Sequence, residues 1–140
     1  MRKAAITFVF SMIAIFSMQA QNVIGKWKTI DDETGKAKSI VEISEKNGVY
    51  YGKVVEILTD KKDAVCDKCP ADRKGKPIKG LTIITGLKKD GSEYTGGKII
   101  DPSSGKEYKC MMKLNGKNKL EVRGYVGISA LGRTQTWTRM

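Results

Sequence analysis

The sequence predicts an all-β fold, an antiparallel up-and-down β-barrel of about eight strands. Three observations carry that reading. Apolar and polar residues alternate with period two through several short runs. In KEYKCMMKL, Tyr108, Cys110, Met112 and Leu114 interleave with Lys109, Met111 and Lys113, and the first set is expected to face inward. Turn-forming residues recur near positions 35, 48, 91, 104 and 116, mostly 12 to 14 residues apart, which suits consecutive hairpins. No segment sustains the 3.6-residue apolar period of an amphipathic helix.

The elements follow in order. GKWKTI, within a strand at about 24–31, leads into the turn residues DDETGK. A strand at 37–45 contains SIVEIS, with Val41 and Ile43 on one face. Asn47-Gly48 separates it from VYYGKVVEIL at 49–58; a type I′ turn needs two residues tolerant of positive φ, which Asn-Gly supplies. Residues 59–79 form one long irregular segment. LTIITGL, at 80–87, is expected as a strand, with a helical turn as its alternative, and Asp90-Gly91 joins it to EYTGGKII at 93–100. Gly96-Gly97 inside that run mark a bulge or a bend. KEYKCMMKL, at 106–114, follows the turn Asp101-Pro102-Ser103-Ser104-Gly105. Asn115-Gly116 introduces KLEVRGYVG, with a strand expected at 119–126, where Leu120, Val122 and Val126 share a face opposite Glu121, Arg123 and Tyr125. GRTQTWTR, at 132–139, is the last strand.

Eight antiparallel strands must hide two edges, and closing the sheet on itself hides both. A two-sheet sandwich is the alternative; the steady succession of hairpins favours the barrel. At eight strands the interior is either filled by side chains or left with room for one small ligand. Cys110 reads as a small core residue.

The chain opens Met1-Arg2-Lys3, runs uncharged from Ala4 to Met18, and reaches the small residue Ala20. A basic start, a short apolar run and a small residue describe a secretory signal peptide, cleaved after Ala20. The run is shorter than the ~20 residues of a membrane span, an uncleaved anchor being the alternative. Residues 21–140 would then be a single domain in a secreted or periplasmic protein, with no transmembrane segment after signal removal. Without Arg2 and Lys3, 24 basic side chains face 15 acidic ones, a net charge of +9. Such a surface suits an anionic envelope component, or serves solubility alone. Nucleic acid is not expected, because no helix concentrates the basic residues and no aromatic-basic ladder runs beside them. Histidine is absent, which removes His bases, His triads and His metal ligands.

Three readings compete for Cys66 and Cys69 in AVCDKCPADRKGKP. A redox centre needs a lowered thiol pKa, usually at a helix N-terminus of a βαβ unit, and nothing here supplies one. Lys68 and Arg73 would favour a thiolate and keep that reading open. A structural zinc site needs about four ligands, against three cysteines and no histidine. A local disulfide needs only the oxidising surroundings of an exported chain, and is the expected state.

Several phrases together carry a resemblance: GKWKTIDDETGKAKSIVEI, YYGKVVEI, CDKCP, GGKIIDPSSGKEYKC and the ending LEVRGYVGISALGRTQTWTR. They resemble the bacterial family called domain of unknown function 2147, over essentially all of residues 21–140. The resemblance implies an exported single domain with a lipocalin-like barrel and brings no activity with it. Gly25-Lys26-Trp27 is also similar to the Gly-x-Trp of calycin barrels. That likeness implies a structural role for Trp27 at the barrel floor, with a basic residue near the C-terminus, Arg139 rather than Arg133, stacked on its ring.

Catalytic readings fare poorly. Asp31, Asp32 and Glu33 cluster beside Thr34-Gly35 and read as a solvated turn. Ser103, Ser104 and Ser129 have no histidine to activate them. The residues call for no enzyme activity, no cofactor and no metal. Arg123, Tyr125, Arg133, Gln135 and Trp137 offer polar groups beside aromatics and are the candidate ligand-binding set. The opposing consideration is that Arg123 and Tyr125 alternate with the apolar face of their strand. The expected function is non-enzymatic binding of a small amphipathic or anionic ligand. A filled barrel acting as an interaction module is the alternative, and an enzyme comes third. Nothing in the residues speaks to oligomeric state.

Overall fold

The structure is a computed structural model and describes residues 22–140; the expected signal segment, 1–20, lies outside the described residues. Eight strands, β1 (Gly25–Ile30), β2 (Ala37–Lys46), β3 (Val49–Ile57), β4 (Thr82–Asp90), β5 (Glu93–Ile100), β6 (Glu107–Leu114), β7 (Lys119–Tyr125) and β8 (Gly132–Arg139), form a closed antiparallel barrel. Each strand pairs with the next in sequence, and β8 returns to β1 through Trp27 opposite Arg139. The one helical piece among the described residues is a 3-10 turn, Ala71–Arg73. The stretch after residue 80 is a strand and not a helical turn.

The hairpin turns follow backbone chemistry. Lys46 pairs with Val49 around Asn47 and Gly48, whose φ of 53° and 80° are the left-handed values a type I′ turn demands. At the β4–β5 turn the expectation is off by one residue. Asp90 pairs with Glu93, so the turn is Gly91-Ser92, with the left-handed φ at Gly91 and Asp90 left extended. The register slips between Tyr94 and Gly97, the bulge that Gly96-Gly97 announced. A Cβ at Gly97 would press on Leu87 Cγ at 2.6 Å, so only glycine lets β4 and β5 approach there.

Two turns repeat one design at the opposite end of the barrel. In Asp31–Lys36 and Asp101–Lys106 the first residue's N–H donates to the carbonyl of the sixth, and the fifth, Gly35 or Gly105, donates back to the carbonyl of the first. The aspartate side chain accepts the N–H two residues on, from Glu33 and from Ser103.

The core fills the end of the barrel carrying the Asn47-Gly48 turn. Trp27, Ile43, Ile84, Leu87, Met112 and Leu120 are buried there, and Tyr50 and Tyr94 meet edge to face with centroids 4.8 Å apart. Arg139 clamps this floor from outside. Its guanidinium lies 4.2 Å from the Trp27 ring centroid and donates to the carbonyls of Asn22, Ile24 and Lys117. Trp27 Nε1 donates to the Val23 carbonyl at 2.8 Å, so the buried indole leaves no donor unpaired. Cys110 is also buried and unpaired, and burial pushes its thiol up to about 12.

Candidate functional site

At the other end, where β1, β3, β5 and β7 finish, the side chains stop short of filling the barrel. They leave a cup of about 730 Å³ open to solvent. Its apolar wall is built in part from strand positions where the two-residue alternation slips at bulges, between the partners of Ile40 and Val41 on β3 and of Gly52 and Lys53 on β4. Val54 and Ile57 come from β3, Ile83 from β4, Ile100 from β5 and Val122 from β7, with Trp137 of β8 at the bottom. Ile99 and Tyr108, both half-buried, complete that wall. Gly124 sits between them without a side chain, and a Cβ there would find Ile99 and Tyr108 at an ordinary 3.5 Å.

The polar groups of the cup are connected. Trp137 Nε1 donates to Gln135 Oε1 at 3.0 Å, and Gln135 Nε2 donates to Asp32 Oδ2 at 2.9 Å. Arg133 Nε stands 3.5 Å from the same Asp32 oxygen. Across the cup Thr29 and Ser39 share a hydrogen bond of 2.7 Å. At the rim Lys38 Nζ donates to Ser103 Oγ at 3.4 Å. Asp31 is held below the ordinary carboxylate range, first by hydrogen bonds from the N–H groups of Thr34 and Glu33, and further by the charge of Lys38. The cup edge carries the cations Lys38, Lys61 and Arg133 against the carboxylates Asp31, Asp32, Asp60 and Asp101, so it is a mixed-charge edge and not a cationic collar.

The segment between β3 and β4 covers one side of this opening and is packed, not loose. Cys66 and Cys69 form a disulfide and are both buried. Val65 bridges to Pro77, and Ile78 and Leu81 join the core. A Cβ at Gly105 would collide with the Lys68 carbonyl, so the disulfide loop rests directly on the Asp101–Lys106 turn. Arg73 fastens the same contact through an ion pair to Glu107 at 3.0 Å.

Of the five candidate ligand residues, the structure gathers Arg133, Gln135 and Trp137 at the cup, and Tyr125 borders its edge from the end of β7. Arg123 is elsewhere. It points to the outer wall, where it donates to the carbonyls of Ser129 and Ala130 and to Thr134 Oγ1. Strand alternation explains this: Leu120 and Val122 take the inward positions of β7 and leave Arg123 outward. Val126, expected on the inner face, does border the cup, but it lies beyond the last pair of β7 and is 65% exposed rather than buried. Asp32 was read only as a turn residue, and the structure adds it to the cup. The available signal was its place one residue past the Asp31 that ends the first strand run, on the same rim as the start of the last strand. Among the described residues, no three Cys, Asp or Glu side chains gather into a metal-binding group.

Comparison with known proteins agrees with this architecture. The family described as "Uncharacterized protein conserved in bacteria (DUF2147)" matches residues 25–139. Among solved structures the chain is similar to protein HP1028 from the human pathogen Helicobacter pylori, described as belonging to the lipocalin family. The TM-score is 0.76 at 25% identity, over 85% of this chain and 83% of that one. No curated protein matches the chain.

Proposed function

The chain belongs to the DUF2147 family of bacterial proteins, and from that premise and the geometry of the cup we propose that it is a non-enzymatic carrier of one small amphipathic molecule in the cell envelope. The observation that carries the proposal is the division of the barrel. One half is packed solid around Trp27, while the other opens into about 730 Å³ with an apolar wall and a polar edge. That volume lies within the ~300–1,000 Å³ of small-molecule sites. The apolar part of the ligand would lie against Val54, Ile83, Ile99 and Trp137, and its polar end would meet Gln135, Asp32 and Arg133. The mixed charge of the edge favours amphipathic character over net negative charge as the recognition element. A binding role also suits the polar groups present. Among the described residues, the Lys38–Ser103 pair brings a hydroxyl and an amine together, yet Lys38 is half-exposed, whereas an activated amine is desolvated.

The test is native mass spectrometry of protein purified from its own host, beside displacement of a fluorescent fatty-acid probe from the purified protein. One bound small molecule per chain and stoichiometric displacement are expected. Gly124→Leu, whose Cβ meets Ile99 and Tyr108 at ordinary contact and whose branch would occupy the cup beside them, is expected to weaken the probe by about tenfold or more, while the protein still unfolds cooperatively at a cost of no more than about 1–3 kcal/mol. Equal affinity for Gly124→Leu would remove the cup as the site. Comparing a fatty acid with the alcohol of the same chain length measures the charge preference directly.

A further inference from the structure

The loop 126–131 between β7 and β8 is built unlike the other connections at the cup. Its sequence, VGISAL, carries no charge. Val126, Ile128 and Leu131 are 65%, 63% and 70% exposed, together the densest exposed apolar group among the described residues. Isolated apolar residues on a surface need no explanation, but three within six residues at the edge of a cavity do. The backbone of the same loop is bound from below. Arg123 Nε donates to the Ser129 carbonyl at 2.7 Å and Arg123 Nη2 reaches the Ala130 carbonyl, while Lys109 Nζ donates to the Gly127 carbonyl. Leu131 N–H closes the turn on the Ile128 carbonyl at 3.0 Å.

From these contacts we propose that the loop 126–131 is a membrane-docking finger that inserts Ile128, with Val126 and Leu131 beside it, into the interfacial region of an anionic lipid bilayer. Entry of backbone into an apolar phase costs less where its polar groups are already paired, and here two cationic side chains hold three of the loop's carbonyls, those of Gly127, Ser129 and Ala130. The same side chains put positive charge next to the apolar tip. This is the pattern of peripheral attachment, apolar insertion supported by attraction to lipid head groups. The chain without its expected signal segment, 24 basic side chains against 15 acidic ones and so +9, adds long-range attraction to such a surface. Val126 and Leu131 also line the cup, so docking would set the opening against the bilayer. Adsorption to lipid does not require the carrier reading, and vesicle binding and probe binding fail or succeed separately.

The experiment is co-sedimentation of the protein with phosphatidylcholine vesicles containing phosphatidylglycerol, and with phosphatidylcholine alone. Binding is expected to the anionic vesicles, and to fall steeply in 1 M salt, where the Debye length is about 3 Å. Ile128→Ser is expected to weaken it by about tenfold, and its exposed position makes the fold insensitive to the change. In a second variant, Ile128→Trp, the indole reports depth: its emission is expected to shift blue on vesicle addition and to be quenched by brominated lipid. Absence of binding overturns the proposal, and would leave a protein partner as the occupant of the loop. Equal binding by Ile128→Ser, or an unshifted indole, also overturns it, since attachment would then be electrostatic adsorption without insertion.

Discussion

Replacement of Arg139 by lysine keeps the charge and removes the geometry, so it measures what the guanidinium contributes at the barrel floor. Three carbonyls accept from it, those of Asn22 at 2.7 Å, Ile24 at 3.1 Å and Lys117 at 2.8 Å, and the Trp27 ring lies 4.2 Å from its carbon. A single ammonium cannot span three acceptors that the planar fork reaches together. Loss of two of these hydrogen bonds costs about 1 kcal/mol each, since the carbonyls are exposed and regain water. Exchange of the planar guanidinium stacked on the ring for a compact ammonium costs up to about 0.5–1 kcal/mol more. The expected destabilisation is therefore about 2–3 kcal/mol. Urea unfolding followed by tryptophan fluorescence would show a midpoint lower by about 0.7–3 M if the slope lies in the ~1–3 kcal/mol/M range of small domains. A double-mutant cycle with Trp27→Leu isolates the ring, with a coupling of about 0.5–1 kcal/mol expected. An Arg139→Lys protein within ~0.5 kcal/mol of the original would refute the view that the floor is clamped by this fork.

Other consequences follow from the same contacts. Gly105→Ala adds a Cβ against the Lys68 carbonyl at a φ of +72°, and is expected to cost more than about 2 kcal/mol and to increase proteolysis between residues 59 and 79; an unchanged digestion pattern would show the loop to be docked by other means. Conversion of both Cys66 and Cys69 to alanine opens a loop of few residues, for which chain entropy gives about 2 kcal/mol, read as a lowered unfolding free energy. A larger loss, beyond ~4 kcal/mol, would indicate that the pair supports the core through packing as well. Cys110, buried with its thiol at about 12, is expected to react with iodoacetamide at pH 8 about three orders of magnitude more slowly than a free thiol. Rapid labelling of the native protein would mean that the core around it opens readily.

Much of the fold is legible from local pattern because a barrel of sequential hairpins is itself local. Each strand pairs with its neighbour in sequence, so alternation in KEYKCMMKL and the Asn47-Gly48 turn determine pairing without long-range information. The disulfide follows from composition and expected compartment. Alternation loses its authority where strands end or slip. Ile99 and Ile100 both line the cup, and Val126, beyond the last pair of β7, reaches the cup edge but stays 65% exposed. The one-residue error at Gly91 has the same origin, since a two-residue turn with glycine first looks, in sequence, like Asp-Gly. The cup was harder still. Its existence depends on how far side chains from all eight strands fill the interior, a sum that no single run displays. Asp32 joins it only because β8 returns to β1, a contact of residues 103 apart.

The central claim is that the unfilled half of this barrel takes one amphipathic molecule. Amide chemical-shift mapping during titration with a single-chain amphiphile tests it most directly. The account expects saturation at one molecule per chain, with shifts at Ile57, Ile83, Ile99 and Gln135 and none of comparable size around Trp27, Tyr50 and Tyr94. Shifts confined to the outer wall, or no saturable change at all, would contradict it.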